Sequence, residues 1–196
     1  MITSYSTQKN TDKSSEQHFT EAVHQLQLQA VTSTSEGLLF EMAQAHFQGK
    51  GKNLRPRILH GMAQVLGLSD QRVTPWAACC EMLHNATLVH DDLQDGDEVR
   101  RNRPTVWKLY GKNQAINLGD YLLSLAPSFV FSSSAFSDRE KVLLGQAYCQ
   151  MSTQIVGGQC RDIHLFEHFF AKNLFSLYLR CTQAVSYTHL TLPTKA

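Results

Sequence analysis

PWAACCEMLHNATLVHDDLQDGDE, residues 75–98, decides the fold. From Trp76 to Asp92 the run is nearly all apolar, too long for a strand, and it ends abruptly in acid, so a buried helix is the economical reading. Pro75 is expected to open that helix, because its missing N–H would lack a partner in the first turn anyway. Upstream, apolar residues recur three and four apart through Val23, Leu26 and Val31, then Leu38, Leu39 and Met42, then Ile58, Met62, Val65 and Leu66. These predict amphipathic helices, punctuated at 49–51 and 67–70. Downstream, stretches 105–110, 114–131, 139–156 and 168–184 continue with helical periods, and no period-two strand is evident. The fold class is therefore all-α, a bundle of more than four helices. No internal repeat of fixed period and no domain linker interrupts it.

The chain has 196 residues, 42% hydrophobic and 18% charged, with no run of about 18 apolar residues. That composition excludes a disordered or collagen-like chain and gives no spanning helix. A formal net charge of +1 provides no global field for nucleic acid or an anionic membrane, so no nucleic-acid partner is expected. Cys79, Cys80, Cys149, Cys160 and Cys181 are odd in number and lack a C-x-x-C pair, which fits reduced, buried thiols and a cytoplasmic location. The N-terminal stretch has no secretory h-region. Residues 1–15 are expected to be a disordered polar N-terminus and 16–184 the helical domain. Residues 185–196, VSYTHLTLPTKA, are Thr-rich, without a helical apolar face, and look like a translated sequencing adapter. They are expected to be a non-native tail on a truncated domain.

Residues 91–98 place five of the chain's 17 acidic residues in eight positions. Asp91 and Asp95 are four apart, so on a helix their carboxylates share a face and can bind a divalent metal together, while Asp92 points about a hundred degrees away. Oxygen ligands without His or Cys at ligand spacing favour a hard cation. A solvated acidic helix end is the plain alternative. Against it, carboxylates at a helix C-terminus face the negative end of the macrodipole, and Arg100, Arg101 and Arg103 follow at once. A calcium loop fails: with Gly96 as loop position six, Leu93 and Asn102 would fall where ligands are needed. A phosphohydrolase built on His90-Asp91 has only a common dipeptide behind it. A second basic group, Lys52 and Arg55, lies three apart where a helix starts and its N–H groups can face an anion.

Gly51-Lys52-x-x-Arg55-Pro56, Leu83-His84-x-x-x-Leu88-Val89-His90-Asp91-Asp92-x-x-Asp95, Arg100-Arg101-Asn102-Arg103-Pro104-Thr105 and Gly119-Asp120-Tyr121-Leu122-Leu123 occur in this order, and the chain from about residue 20 to 184 resembles the trans-isoprenyl diphosphate synthases, or polyprenyl synthetases. The resemblance implies an isoprenoid synthase-type helical bundle with a central cavity. It further implies that Asp91 and Asp95, supported by Asp92, hold Mg²⁺ (or Mn²⁺) against an allylic diphosphate that Arg100 also contacts. Lys52, Arg55, His84 and Arg101 would hold isopentenyl diphosphate, and Gln159 and Asp162 resemble the family's helix motif facing the metals. The implied reaction is ionisation of the allylic diphosphate, attack by the isopentenyl double bond and loss of a proton, in a homodimer.

Ala86 and Thr87 stand about one turn before Asp91, where short-chain members of the family often carry aromatics. A geranylgeranyl or longer product is therefore expected. The family's Lys-Thr pair and second Asp-rich motif are missing, which fits truncation near residue 184 and little turnover by the chain as it stands. A non-catalytic subunit of a heteromeric synthase is the alternative, disfavoured because such a subunit has no physical need for Asp91, Asp92, Asp95, Arg100 and Arg101.

Overall fold

α4 (Asp70–Asp95) is the axle of the N-terminal unit, residues 1–135, and it packs against α1, α3, α5, α6 and α7. The computed structural model describes residues 2–49 and 51–167, with side chains from residue 14 to 163 apart from residue 50. Around α4 stand α1 (Ile2–Thr34), α2 (Gly37–Phe47), α3 (Leu54–Val65), α5 (Val106–Tyr110), α6 (Lys112–Leu125) and α7 (Ser128–Phe131). A two-residue hairpin, β1 (Val99–Arg100) and β2 (Arg103–Pro104), follows α4. The second unit begins at Phe136 and contains α8 (Asp138–Glu167).

Burial explains the composition of α4. Trp76, Ala77, Ala78, Cys79, Cys80, Met82, Leu83, Ala86, Leu88 and Val89 are all buried, so the helix is covered around its circumference. Small side chains at 77–80 and 86 let neighbouring helices approach, with Ala63, Ala115 and Leu118 fully buried opposite.

Several expectations change. The backbone is helical from Ile2, inside the stretch read as a disordered polar N-terminus, because no Gly or Pro between Ile2 and Thr34 stops the helix. Pro75 does not open α4: the helix starts at Asp70, where the Arg72 and Val73 N–H groups bond to Ser69 O, and Pro75 removes one bond in the second turn. α3 buries Pro56, Leu59, His60 and Ala63, leaving Val65 at 87% and Leu66 at 56% exposure. The predicted stripe is therefore split, with Ile58 and Met62 half-buried and Val65 and Leu66 turned to solvent. Pro127 divides the predicted 114–131 helix into α6 and α7. Gly157 and Gly158 do not interrupt α8. Cys79 and Cys80 are buried thiols, but Cys149 and Cys160 are exposed. The predicted helix 168–184, Cys181 and the tail 185–196 lie outside the described residues.

No helix among the described residues is long and apolar enough to cross a membrane.

Candidate active site

At its C-terminal end α4 stops because Gly96 turns left-handed (φ 72°). The N–H groups of Gly96 and Asp97 both return to Asp92 O. The chain then reverses through Arg101 (φ 52°) and Asn102 (φ 60°), the two left-handed residues that a tight hairpin loop requires. The hairpin is tied down by Thr105, whose N–H donates to Glu98 O (3.0 Å) and whose hydroxyl donates to Asp97 O (2.9 Å). Trp107 Nε1 donates to the same carbonyl at 2.8 Å.

This reversal sends consecutive arginines to different partners. Arg100 Nε donates to Asp92 Oδ1 at 2.5 Å, and that carboxylate is 3% exposed. Arg101 Nη1 donates to Gly49 O at 2.6 Å. Its guanidinium lies so close to Gly51 that a Cβ there would meet Nη2 at 2.7 Å, so any side chain at 51 would push the guanidinium aside.

Electrostatics single out the acidic end. Burial lifts the Asp91 carboxyl to about 6, the Asp95 and Asp92 charges add to the rise, and Arg100 and His90 oppose it. Asp92 is also raised, chiefly by burial and against the pull of Arg100. Two oxygen donors that repel each other on one helix face suit a hard dication, which takes one or two carboxylates and completes its shell with water and phosphate. Among the described residues no group of three or more His, Cys, Asp or Glu side chains forms a metal cage, so a cation held here would depend on its other ligands. His90 stands beside the pair on α4. Its Nε2 lies 3.4 Å from Asp120 Oδ1 and 3.4 Å from Ile116 O, against the bare backbone of Gly119 on α6.

A cleft of about 280 Å³ opens on another side of α4, between α1, the 49–53 loop, the start of α3 and Arg101. Glu81 and Asn85 line it from α4, and Gln17, Glu21 and His24 from α1. Asn85 Nδ2 donates to Glu81 O (2.8 Å), and His46 Nε2 donates to Asn85 Oδ1 (3.0 Å). Burial holds His46 down at about 4, with Arg101 and Arg100 pressing the same way against the Asn85 bond, so the ring is neutral at pH 7. Burial also lifts Glu81 to about 7, opposed by Arg55 and Arg101. Arg55 is lowered by its own desolvation, partly offset by Glu81.

A family model described as polyprenyl synthetase matches residues 36–187. The chain belongs to the polyprenyl synthetase family. Its curated relatives include a (2E,6E)-farnesyl diphosphate synthase of Mycobacterium tuberculosis, 47% identical over 76 residues, which are 39% of this chain and 21% of that enzyme. A geranylgeranyl diphosphate synthase of Methanosarcina mazei is 37% identical over 114 residues, 58% of this chain and 35% of that one. The solved geranylgeranyl pyrophosphate synthetase from Pyrococcus horikoshii aligns with a TM-score of 0.83 at 24% identity, over 93% of this chain and 55% of that one. That likeness shows the all-α fold. The chain thus spans about half the length of that solved relative, and the matched segments cover well under half of the curated ones.

Within this family member the residues singled out from sequence fall into groups. Asp91, Asp92, Asp95 and Arg100 gather where α4 meets the hairpin. Asp92, read as support for the other two carboxylates, is turned onto Arg100, which is correspondingly engaged by it. Arg101 and Glu81 meet at the cleft, with Arg55 acting on Glu81 from the first turn of α3. Lys52 is exposed just before Asn53, and His84 is half-buried on α4. Ala86 is fully buried, while the half-buried Thr87 donates its hydroxyl to His84 O (2.8 Å), and neither lines the cleft. Gln159, half-buried, and Asp162, exposed, lie on α8 in the second unit. Sequence reading passed over Glu81, Asn85, His46 and the seat of His90 on Gly119. Glu81 carried a signal: it is the single acid in the apolar run from Trp76 to His90, and a charge inside a buried helix needs a reason.

Proposed function

We propose that this chain is the substrate-binding part of a trans-prenyltransferase that condenses an allylic diphosphate with isopentenyl diphosphate to a geranylgeranyl or longer product. The observation that carries the reading is the carboxylate pair Asp91 and Asp95 on one face at the end of α4, where burial and the neighbouring Asp95 charge raise Asp91 to about 6. Mg²⁺ or Mn²⁺ held by that pair would neutralise the diphosphate leaving group as the allylic C–O bond ionises. Arg100 would add its charge on the same group, and Asp92 would keep that guanidinium from swinging into solvent. Arg101, with Lys52, Arg55 and His84, would orient isopentenyl diphosphate so that its double bond meets the allylic carbon. Gln159 and Asp162 are assigned to the allylic side by the family motif alone. The small side chains of Ala86 and Thr87 support the longer product, and a cytoplasmic homodimer completes the reading.

The test is direct. Isopentenyl diphosphate titrated calorimetrically into the chain should bind, and Gly51→Ala, whose new methyl displaces the Arg101 guanidinium, should weaken binding about tenfold by costing a charged hydrogen bond. Unchanged affinity in that variant would refute the assignment of Arg101. In the complete gene product, supplied with Mg²⁺ and an allylic primer, Thr87→Phe should shorten the product resolved by chromatography.

A further inference from the structure

Glu81 and Arg55 contribute two buried polar atoms with no hydrogen-bond partner, Glu81 Oε2 and Arg55 Nε. The first belongs to a carboxylate in the wall of the 280 Å³ cleft, and the second to the cation that acts most strongly on it. A bidentate Arg55–Glu81 ion pair made through Nε and Oε2 would leave neither atom bare. The arrangement fits a site in which a third, anionic partner is to be inserted. Arg55 and the Arg101 guanidinium are the cations that would meet it.

With a diphosphate seated on those arginines, an ionised Glu81 would be a like charge against it. A protonated Glu81 would instead turn its bare Oε2 into an O–H donor toward a phosphate oxygen. We propose that Glu81 is a proton-linked counter-ion: its carboxylate balances Arg55 and Arg101, and it takes up a fraction of a proton from solvent when a diphosphate ester occupies them. The inference rests on the diphosphate reading of the cleft given above.

The surroundings support the exchange. From α3 comes Arg55, from the hairpin Arg101, and from α1 Glu21 and His24, which line the same cleft. From α2, His46 reaches Asn85 but is neutral at pH 7, and on α4 itself the Cys80 thiol is pushed up to about 12 by burial and Glu81, so it stays protonated. Burial already lifts Glu81 to about 7 against the pull of the two arginines, so the proton costs little near neutrality.

Calorimetry of isopentenyl diphosphate binding to the 196-residue chain at pH 7.5, repeated in two buffers of different ionisation enthalpy, counts the protons exchanged. If the bound diphosphate raises Glu81 by one further unit, wild type takes up about half a proton more per ligand than Glu81→Gln does. That difference is the expected result, and an amide variant too weak to titrate leaves the decision to the wild-type infrared spectrum. Equal proton counts in the two proteins would overturn the inference while leaving diphosphate binding intact. Absence of any binding by wild type would overturn both. Should the amide variant lose its helical circular dichroism, the wild-type chain still decides the matter. Its infrared difference spectrum on adding isopentenyl diphosphate should gain a protonated-carboxyl C=O band, and a spectrum without it refutes the proton uptake.

Discussion

Replacing Gly119 by Ala sets two effects of known sign against each other on α6. Gly119 is a mid-helix residue with no left-handed torsion, so by propensity alone Ala should stabilise the helix by about 1 kcal/mol. The close approach of α4 opposes this. A Cβ at 119 would run into the His90 ring, 2.7 Å from Cε1 and closer still to Nε2 and Cδ2, against a normal contact of about 3.5–4 Å. The ring must therefore move by more than 1 Å. In moving it leaves Asp120 and Ile116 and crowds the α4–α6 contact. Overpacking of this kind costs about 1–3 kcal/mol, so the net expectation is a loss of about 1 kcal/mol, read by urea unfolding followed by circular dichroism. The decisive comparison is Gly119→Ala placed in a His90→Ala background. With the ring gone, the propensity gain should reappear, giving a coupling of about 2 kcal/mol between the two positions. If Gly119→Ala stabilises the wild-type chain, or the two substitutions simply add, the seating of His90 on α6 is wrong.

Arg100→Met should cost about 2–4 kcal/mol in the same assay, because it strands the buried Asp92 carboxylate. Adding Asp92→Asn should recover a good part of the loss, and no recovery would show that Arg100 acts through something else. Two opposed pH effects are expected below neutrality. The folded His46 ring, held near 4, binds fewer protons than the unfolded one, so its contribution to stability is lost as pH falls from 6.5 towards 4. Asp91, lifted to about 6, binds more protons folded than unfolded, so acidification from about 6 towards 3.8 relieves strain there. Thermal melts across this range should therefore lose less stability on acidification in His46→Gln than in wild type, and more in Asp91→Asn.

The buried helix was legible because Trp76 to Val89 carries apolar residues on every face with Glu81 its one acid, a pattern that a helix enclosed by others satisfies. Asp91, Asp95 and the arginines were legible for the complementary reason, since charges packed this densely at a helix end demand counter-charges. The third helix misled because Ile58, Met62, Val65 and Leu66 form a sound apolar stripe, and periodicity cannot say which of two possible stripes finds a neighbour. The hairpin escaped because two paired residues on each strand are too few to show alternation. Asn85 and His46 escaped for a different reason: each is unremarkable alone, and their meaning arises from elements some 40 residues apart meeting through one hydrogen bond, whereas the lone acid Glu81 carried a signal but no partner readable from spacing.

The hairpin that sequence periodicity missed is the part that divides the labour of the site. Left-handed torsions at Arg101 and Asn102 cost about 1 kcal/mol apiece for residues with a Cβ, and Asn pays least of the non-glycine residues. What that strain secures is a change of direction between neighbouring arginines, Arg100 onto Asp92 and Arg101 onto Gly49 and Gly51. On a continuing helix the two would project about a hundred degrees apart from one surface, and neither could reach back past Gly96. A single tight turn thus ties the acidic end of α4 to the cleft ten residues earlier, about 15 Å along the axis at helical rise. If two diphosphates bind as proposed, their relative placement is set by this turn and by the straightness of α4, and not by the reach of either arginine.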